Sequence, residues 1–274
     1  MMEDEEPDNS IVYYKNFAYP DQLYGGAPPL LVDRFEIQVI VMSAKAGEER
    51  VETVQTIPLQ RNEHALCIES MNLGSDQDRQ TFVTVGTGFV GPQGEDTPPS
   101  GRLLAYGLDY AHVATSEGNH RHLPKIKLLK EKEMSGPVGA VVQLNKYLAT
   151  SAGASITIFE WDNKSEDLRP VGIYEASQYI VSMSVVKSFL LVGDIINSVQ
   201  LLVWRDEDRS INQLAKDYEP TEVLSTTFLI DQPTMCAVVG DVRGNIKLLR
   251  YAPQSLASRG GHRLVCDADF YLGS

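Results

Sequence analysis

The sequence has little that could staple it covalently or through a metal. Three cysteines, Cys67, Cys236 and Cys266, are scattered through 274 residues and form no CxxC pair. That excludes a disulfide frame and a cysteine-built zinc site, and leaves buried, reduced thiols. Long apolar runs are missing too, and a membrane-spanning helix needs about eighteen such residues in succession. The N-terminus, MMEDEEPDNS, is acidic where a secretory leader is basic and then apolar, which points to an intracellular chain. Positive charge is scarce: 24 Lys and Arg stand against 37 Asp and Glu, a net charge of −13. A surface this acidic repels phosphate backbones, so the chain as a whole is not a sequence-independent nucleic-acid binder. A place in a nucleic-acid machine remains open if the grip is supplied elsewhere.

Catalytic signatures are equally sparse. No nucleophile elbow, HExxH or phosphate loop occurs, nor the S-x-D-x-G-x-x-W boxes of sialidase-type propellers. GTGFVG (Gly86, Gly88, Gly91) fits the dinucleotide fingerprint, but Pro92, Pro98 and Pro99 follow where that chemistry needs a helix N-terminus. It reads as an inserted hairpin loop. His120 and His122 stand at i, i+2 without a third ligand nearby and read as a surface loop rather than a metal site. Asn163–Ser165 (NKS) matches a glycosylation sequon and, without a leader, reads as a polar turn. No catalytic, cofactor-binding or metal-binding residue is therefore assigned, and no cofactor, membrane or small-molecule substrate is expected. One basic stretch stands out, Arg121, Lys125, Lys127, Lys130 and Lys132 in RHLPKIKLLKEK. It offers a contact for RNA or an acidic partner, although Glu131 and Glu133 interleave with it as on a solvated strand.

What the sequence does have is a repeated phrase. VGDIINSVQLLVW (192–204) returns as VVGDVRGNIKLLRY (238–251), 47 residues further on (240 against 193). Gly193, Asp194, Leu201 and Trp204 match Gly240, Asp241, Leu248 and Tyr251. Short Val- and Leu-rich runs bounded by Gly, Asp and Asn spell strand, turn, strand. Each Asp suits the first turn position, where its carboxylate accepts backbone N–H groups. Both faces of VQLLVW are apolar, which predicts a strand covered on both sides.

Weaker copies lie at 147–161, where Trp161 matches Trp204, and at 82–110, where the turn carries a long insertion. Each copy has a further strand-like segment before it and another after it. Four strands per unit with no convincing long helix is the grammar of β-propeller blades. The expected fold is all-β, an incomplete arc of a seven-bladed propeller with WD-like four-stranded blades. Its parts are a tail or linker over residues 1–30, a half blade at 34–59, and blades at about 64–133, 137–176, 179–218 and 221–270.

Read with their flanks, these phrases resemble one family. FLLVGDIINSVQLLVWRDEDRSINQLAKDYEPTEVLSTTFLID, GPVGAVVQLNKYLATSAGASITIFEW, GTGF with SGRLLAYGLDY, and RFEIQVI are similar to the last propeller of the largest subunit of the cleavage and polyadenylation specificity factor. Large subunits of damaged-DNA-binding protein and a propeller subunit of the U-two snRNP splicing factor share that family. The tail, GDVRGNIKLLRYAPQ followed by SRGGHRLVCDADFYLG, resembles the polyadenylation branch in order and spacing. The resemblance covers roughly residues 31–274 and implies a nuclear, non-catalytic scaffold. Its implied partners are the other subunits of the cleavage and polyadenylation complex, with pre-mRNA engaged mainly through them. In the family the chain continues past Gly273, so an incomplete ring is expected here. Two other readings are a scaffold of the damaged-DNA-binding or splicing branch, and a propeller enzyme with carboxylates converging on the axis.

Overall fold

Within each described sheet the strands lie in chain order. A computed structural model describes residues 34–45, 48–74, 78–90, 99–114, 120–176, 178–231 and 234–273. The expected tail over 1–30 and most of the insertion after Val90 lie outside the described residues. A two-stranded hairpin comes first, β1 (Glu36–Lys45) and β2 (Glu48–Pro58). Four four-stranded antiparallel sheets follow. Blade 1 is β3 (Glu63–Leu73), β4 (Gln80–Phe89), β5 (Gly101–Ala114) and β6 (His120–Met134). Blade 2 is β7 (Val141–Leu144), β8 (Tyr147–Ala152), β9 (Ser155–Asp162) and β10 (Asp167–Glu175). Blade 3 is β11 (Ile180–Val186), β12 (Phe189–Asp194), β13 (Ser198–Arg205) and β14 (Ser210–Lys216). Blade 4 is β15 (Val223–Asp231), β16 (Thr234–Asp241), β17 (Asn245–Arg250) and β18 (Val265–Tyr271). The only helical element among the described residues is a 3₁₀ turn, Leu256–Ser258. The fold is all-β, a partial propeller arc.

The core is not one mass but a series of seams, because neighbouring sheets bury apolar faces against one another. Met71, Leu73, Phe82 and Leu103 of blade 1 meet Val138, Leu148, Phe159 and Trp161 of blade 2. Leu144, Tyr147, Ile156 and Ile158 of blade 2 meet Ile180, Val192, Leu202 and Trp204 of blade 3. Leu191, Val199, Leu201 and Ala215 of blade 3 meet Val223, Ala237, Val239 and Leu249 of blade 4. On the other side of blade 1, the hairpin residue Ile37 packs with Val85, Leu104, Tyr106 and Ile126. Strand β13 shows the alternation directly. Val199 and Leu201 enter the seam with blade 4, whereas Leu202 and Trp204 enter the seam with blade 2.

Polar clamps pin these seams in register. The Gln55 side chain donates to the Ile126 carbonyl at 2.9 Å and accepts from the Ile126 N–H at 2.8 Å, tying the hairpin to β6. Gln143 does the same for Asn72 across blades 1 and 2, at 2.9 Å in both directions. A primary amide reproduces the donor–acceptor pair of a backbone peptide, so each glutamine extends a ladder where no strand partner is present. Between blades 3 and 4 the connection leading to β18 takes this part. His262 O accepts from Lys216 N and Lys216 O accepts from Leu264 N, both at 3.0 Å.

Candidate functional site

Among the described residues, the features considered for function are the seams, the basic strand and the surfaces between them. Asp194 is 1% exposed and its carboxylate is saturated by backbone. Oδ1 accepts from Ile196 N and Asn197 N at 2.8 and 2.9 Å, and Oδ2 accepts from Gln178 N and Tyr179 N at 2.8 and 3.0 Å. One side chain thus closes the β12–β13 turn and fastens the start of β11 to it. Asp241 repeats the turn half of this role, accepting from Arg243 N at 2.9 Å and from Asn245 N at 2.8 Å. Burial alone would raise the Asp241 pKa, but the Asn245 side chain and these backbone donors outweigh it and hold the carboxyl below its ordinary value. Asp is needed at both positions because its short carboxylate reaches the orphan N–H groups of the turn.

Gly193 and Trp204 work through shape. A Cβ at Gly193 would lie 2.8 Å from both Val223 Cγ1 and Thr226 Cγ2 of blade 4. Trp204 stacks edge-on to Tyr147 with ring centroids 5.4 Å apart, and Gly172 of β10 passes so close that a Cβ there would be 2.6 Å from Trp204 Cζ3. Trp161 repeats the edge-on contact against Phe82 at 4.7 Å. In blade 4 the matching positions are looser, with Leu248 and Tyr251 half-buried. Gly193→Val forces a branched side chain into a filled seam, and overpacking of this kind costs about 1–3 kcal/mol. A urea denaturation curve will show its midpoint moved well below that of the unaltered chain; an unmoved midpoint would contradict the close approach.

The basic strand divides in two. Lys130 and Lys132 both reach Asp167 of blade 2, at 3.1 and 3.3 Å, and Lys130 foremost holds the Asp167 carboxyl below the usual range. Lys125 and Lys127 are exposed. Arg121 lies in β6 with its side chain outside the described residues, as do those of His120 and His122. The NKS turn is held by Asp162, which accepts from Lys164 N at 3.0 Å and Ser165 Oγ at 2.8 Å.

One polar centre escaped sequence reasoning. Glu63, fully buried, accepts from Arg102 Nε at 2.7 Å, Arg102 Nη2 at 2.5 Å, Thr87 Oγ1 at 2.6 Å and Gln60 N at 2.8 Å. Arg102 is itself only 8% exposed and reaches Glu131 at 3.0 Å. Burial would raise the Glu63 pKa, yet the donors from Arg102, Thr87 and Gln60 together hold it below its ordinary value. The available signal was an arginine heading the apolar run RLLAY. An arginine buried at such a place requires a carboxylate partner.

Concave space is modest. A cleft of about 430 Å³ between blades 1 and 2 is lined by Asp78, Arg79, Gln80, Trp161, Asn163 and Glu166. Among the described residues no group of three or more His, Cys, Asp or Glu is placed to hold a metal ion. Cys67 donates to the Val138 carbonyl at 3.3 Å, and burial pushes its thiol up to about 11, which suits packing rather than nucleophilic attack.

Comparison with known proteins falls on the same stretch as the seams. The family described as the CPSF A subunit region matches residues 35–274. A protein of Arabidopsis thaliana named cleavage and polyadenylation specificity factor subunit 1 is 33% identical over 246 residues, which is 89% of this chain and 16% of the relative. A probable subunit 1 from Oryza sativa subsp. japonica is 32% identical over 245 residues, again 89% of this chain and 16% of the relative. The Drosophila melanogaster subunit 1 is 29% identical over 214 residues, 77% of this chain and 14% of the relative. The chain thus spans less than a fifth of the length of these curated relatives.

Proposed function

This chain belongs to the CPSF A subunit region family, and from that premise we propose that it is a non-catalytic scaffold segment of the nuclear machinery that cleaves and polyadenylates pre-mRNA. Its part is to present a rigid stack of blades on which the subunits that read the polyadenylation signal are held. The observation that carries this reading is the family match over residues 35–274 together with relatives named as subunit 1 of the specificity factor. The chemistry agrees with it. The repeated Asp is spent on holding its own blade, as Asp194 illustrates, and the repeated Gly of blade 3 on close contact with blade 4, as Gly193 illustrates. RNA is reached through partners, because a net charge of −13 opposes a phosphate backbone and two of the five basic residues of β6 are engaged by Asp167.

The corresponding expectation is weak direct RNA affinity. Fluorescence anisotropy with a labelled AAUAAA-containing RNA at physiological salt should give a dissociation constant no tighter than about 10⁻⁶ M, the non-specific range. Nanomolar, sequence-selective binding by the purified chain alone would replace the scaffold reading with that of an RNA reader.

A further inference from the structure

In blades 2 and 3 the third and fourth strands are joined by four residues, 163–166 and 206–209; in blade 4 the connection takes fourteen, 251–264. Both short turns carry acid, Glu166 in one and Asp206, Glu207 and Asp208 in the other. The long one, YAPQSLASRGGHRL, has no Asp or Glu and carries Arg259, His262 and Arg263, in a chain of net charge −13. The connection is built rather than loose. Ser255 Oγ accepts from Ala257 N at 3.2 Å and caps the 3₁₀ turn. Ser258, fully buried, donates from Oγ to Ser255 O at 2.7 Å and accepts there from Gly261 N at 3.1 Å. Its carbonyl accepts from Arg263 N at 2.9 Å. Leu264, 2% exposed, anchors the far end in the seam between blades 3 and 4.

This strap crosses to β14, the edge strand of blade 3, where Arg263 pairs with Lys216 in a parallel bridge. Bridge partners project to the same side, so two cations stand next to each other. Like charges opposed in this way weaken a sheet. Among the described residues neither has a carboxylate partner. Lys216 lies over the Tyr218 ring at 4.7 Å, and the carboxylates flanking the pair along the chain are engaged elsewhere. Asp217 accepts from Ser198 Oγ at 2.7 Å, Glu219 meets Lys247 at 3.3 Å, and Asp267 meets Arg250 at 2.6 Å. Arg259 and His262 are exposed on the same strap, and Leu256 is 99% exposed.

We propose that Lys216, Arg259, His262 and Arg263, with Leu256, form a docking surface for a short acidic segment of a partner protein, its carboxylates surrounding an apolar residue. Charge complementarity selects the acid. Two unneutralised cations held at a fixed spacing by backbone bonds need little further ordering when carboxylates arrive, and the guanidinium forks match a carboxylate. Leu256 selects protein over RNA, because an aliphatic side chain offers a base neither an aromatic stacking face nor a hydrogen bond. The surface adds to the scaffold reading without resting on it.

The test is fluorescence anisotropy of the full chain with a short labelled peptide of Asp and Glu around one Leu. The same peptide with Asn and Gln for the acids, and an oligouridylate of equal length, are run beside it. The acidic peptide should bind, more weakly as salt rises, and the neutral one should not. Lys216→Gln with Arg263→Gln should weaken binding at least about tenfold, as for the loss of two ion pairs at a surface. That double variant should melt no lower than the unaltered chain, since the like-charge opposition is gone. Arg259→Glu should weaken binding by a similar factor, and because Arg259 is exposed it keeps the test decisive if the double variant melts lower. No binding of the acidic peptide at low salt, equal binding of the neutral one, tighter binding of the oligouridylate, or affinity unmoved in both variants would overturn the proposal. No other subunit is present in the assay, so such a result would leave the scaffold reading untouched.

Discussion

Leu201→Asp is expected to open the seam between blades 3 and 4 and to destabilise the chain by about 3–5 kcal/mol, the range for a buried charge without a partner. Leu201 is 2% exposed and lies among Leu191, Val199, Val223, Ala237 and Leu249. The side chains packed around it there are apolar, so the new carboxylate must lose its hydration or take up a proton. Domain stability is itself of the order of 5–15 kcal/mol, so this one change removes much of it. Urea denaturation followed by tryptophan fluorescence checks the expectation, because Trp204 sits on the opposite face of the same strand. A midpoint indistinguishable from that of the unaltered chain would mean that Leu201 faces solvent and that the strand is in a different register.

A loss of similar size, about 3–5 kcal/mol, is expected for Arg102→Met, which leaves Glu63 charged and buried. Thr87 and Gln60 N still donate to the carboxylate, but its two strongest donors are gone. The companion change Glu63→Gln should recover a large part of the loss, since the pair is worth less than the cost of breaking it. The pH dependence follows from the direction of the shift. Glu63 is held below its ordinary value in the folded chain, so its contribution is present above the unfolded carboxylate pKa of about 4.3. That contribution is lost as the pH falls through the lower, folded value. The unaltered chain should therefore lose stability on acidification below about pH 4, and Arg102→Met should flatten that limb. An Arg102→Met protein with full stability and the same acid limb would show that the pair is not linked to folding.

How legible all this was in the sequence depends on whether the determinant is local. The blade hairpins were readable because their signal is contained within a dozen residues. Apolar runs bounded by Gly193–Asp194 and Gly240–Asp241 specify strand, turn and strand without reference to anything distant. The two-faced character of VQLLVW likewise led directly to burial on both sides, which Leu201 and Leu202 realise in opposite seams. The clamps were not readable. Gln55 bonds Ile126, Gln143 bonds Asn72, and Glu63 bonds Arg102, each across 39 residues or more, and nothing in a glutamine's flanks announces that its amide will stand in for a peptide. The basic strand failed to resolve for the same reason. Lys130 and Lys132 look like a ligand-facing pair until Asp167, on the neighbouring blade, is brought beside them.

The proposed role is to hold the subunits of the cleavage and polyadenylation complex rather than to hold RNA. Its most direct test is affinity purification of the tagged protein from nuclear extract, with and without ribonuclease, followed by mass spectrometry of what is retained. Recovery of the subunits that recognise the polyadenylation signal, in the same ratio after ribonuclease treatment, is the predicted result. Recovery of ubiquitin-ligase or spliceosomal components in their place, or loss of every partner once RNA is digested, would contradict it.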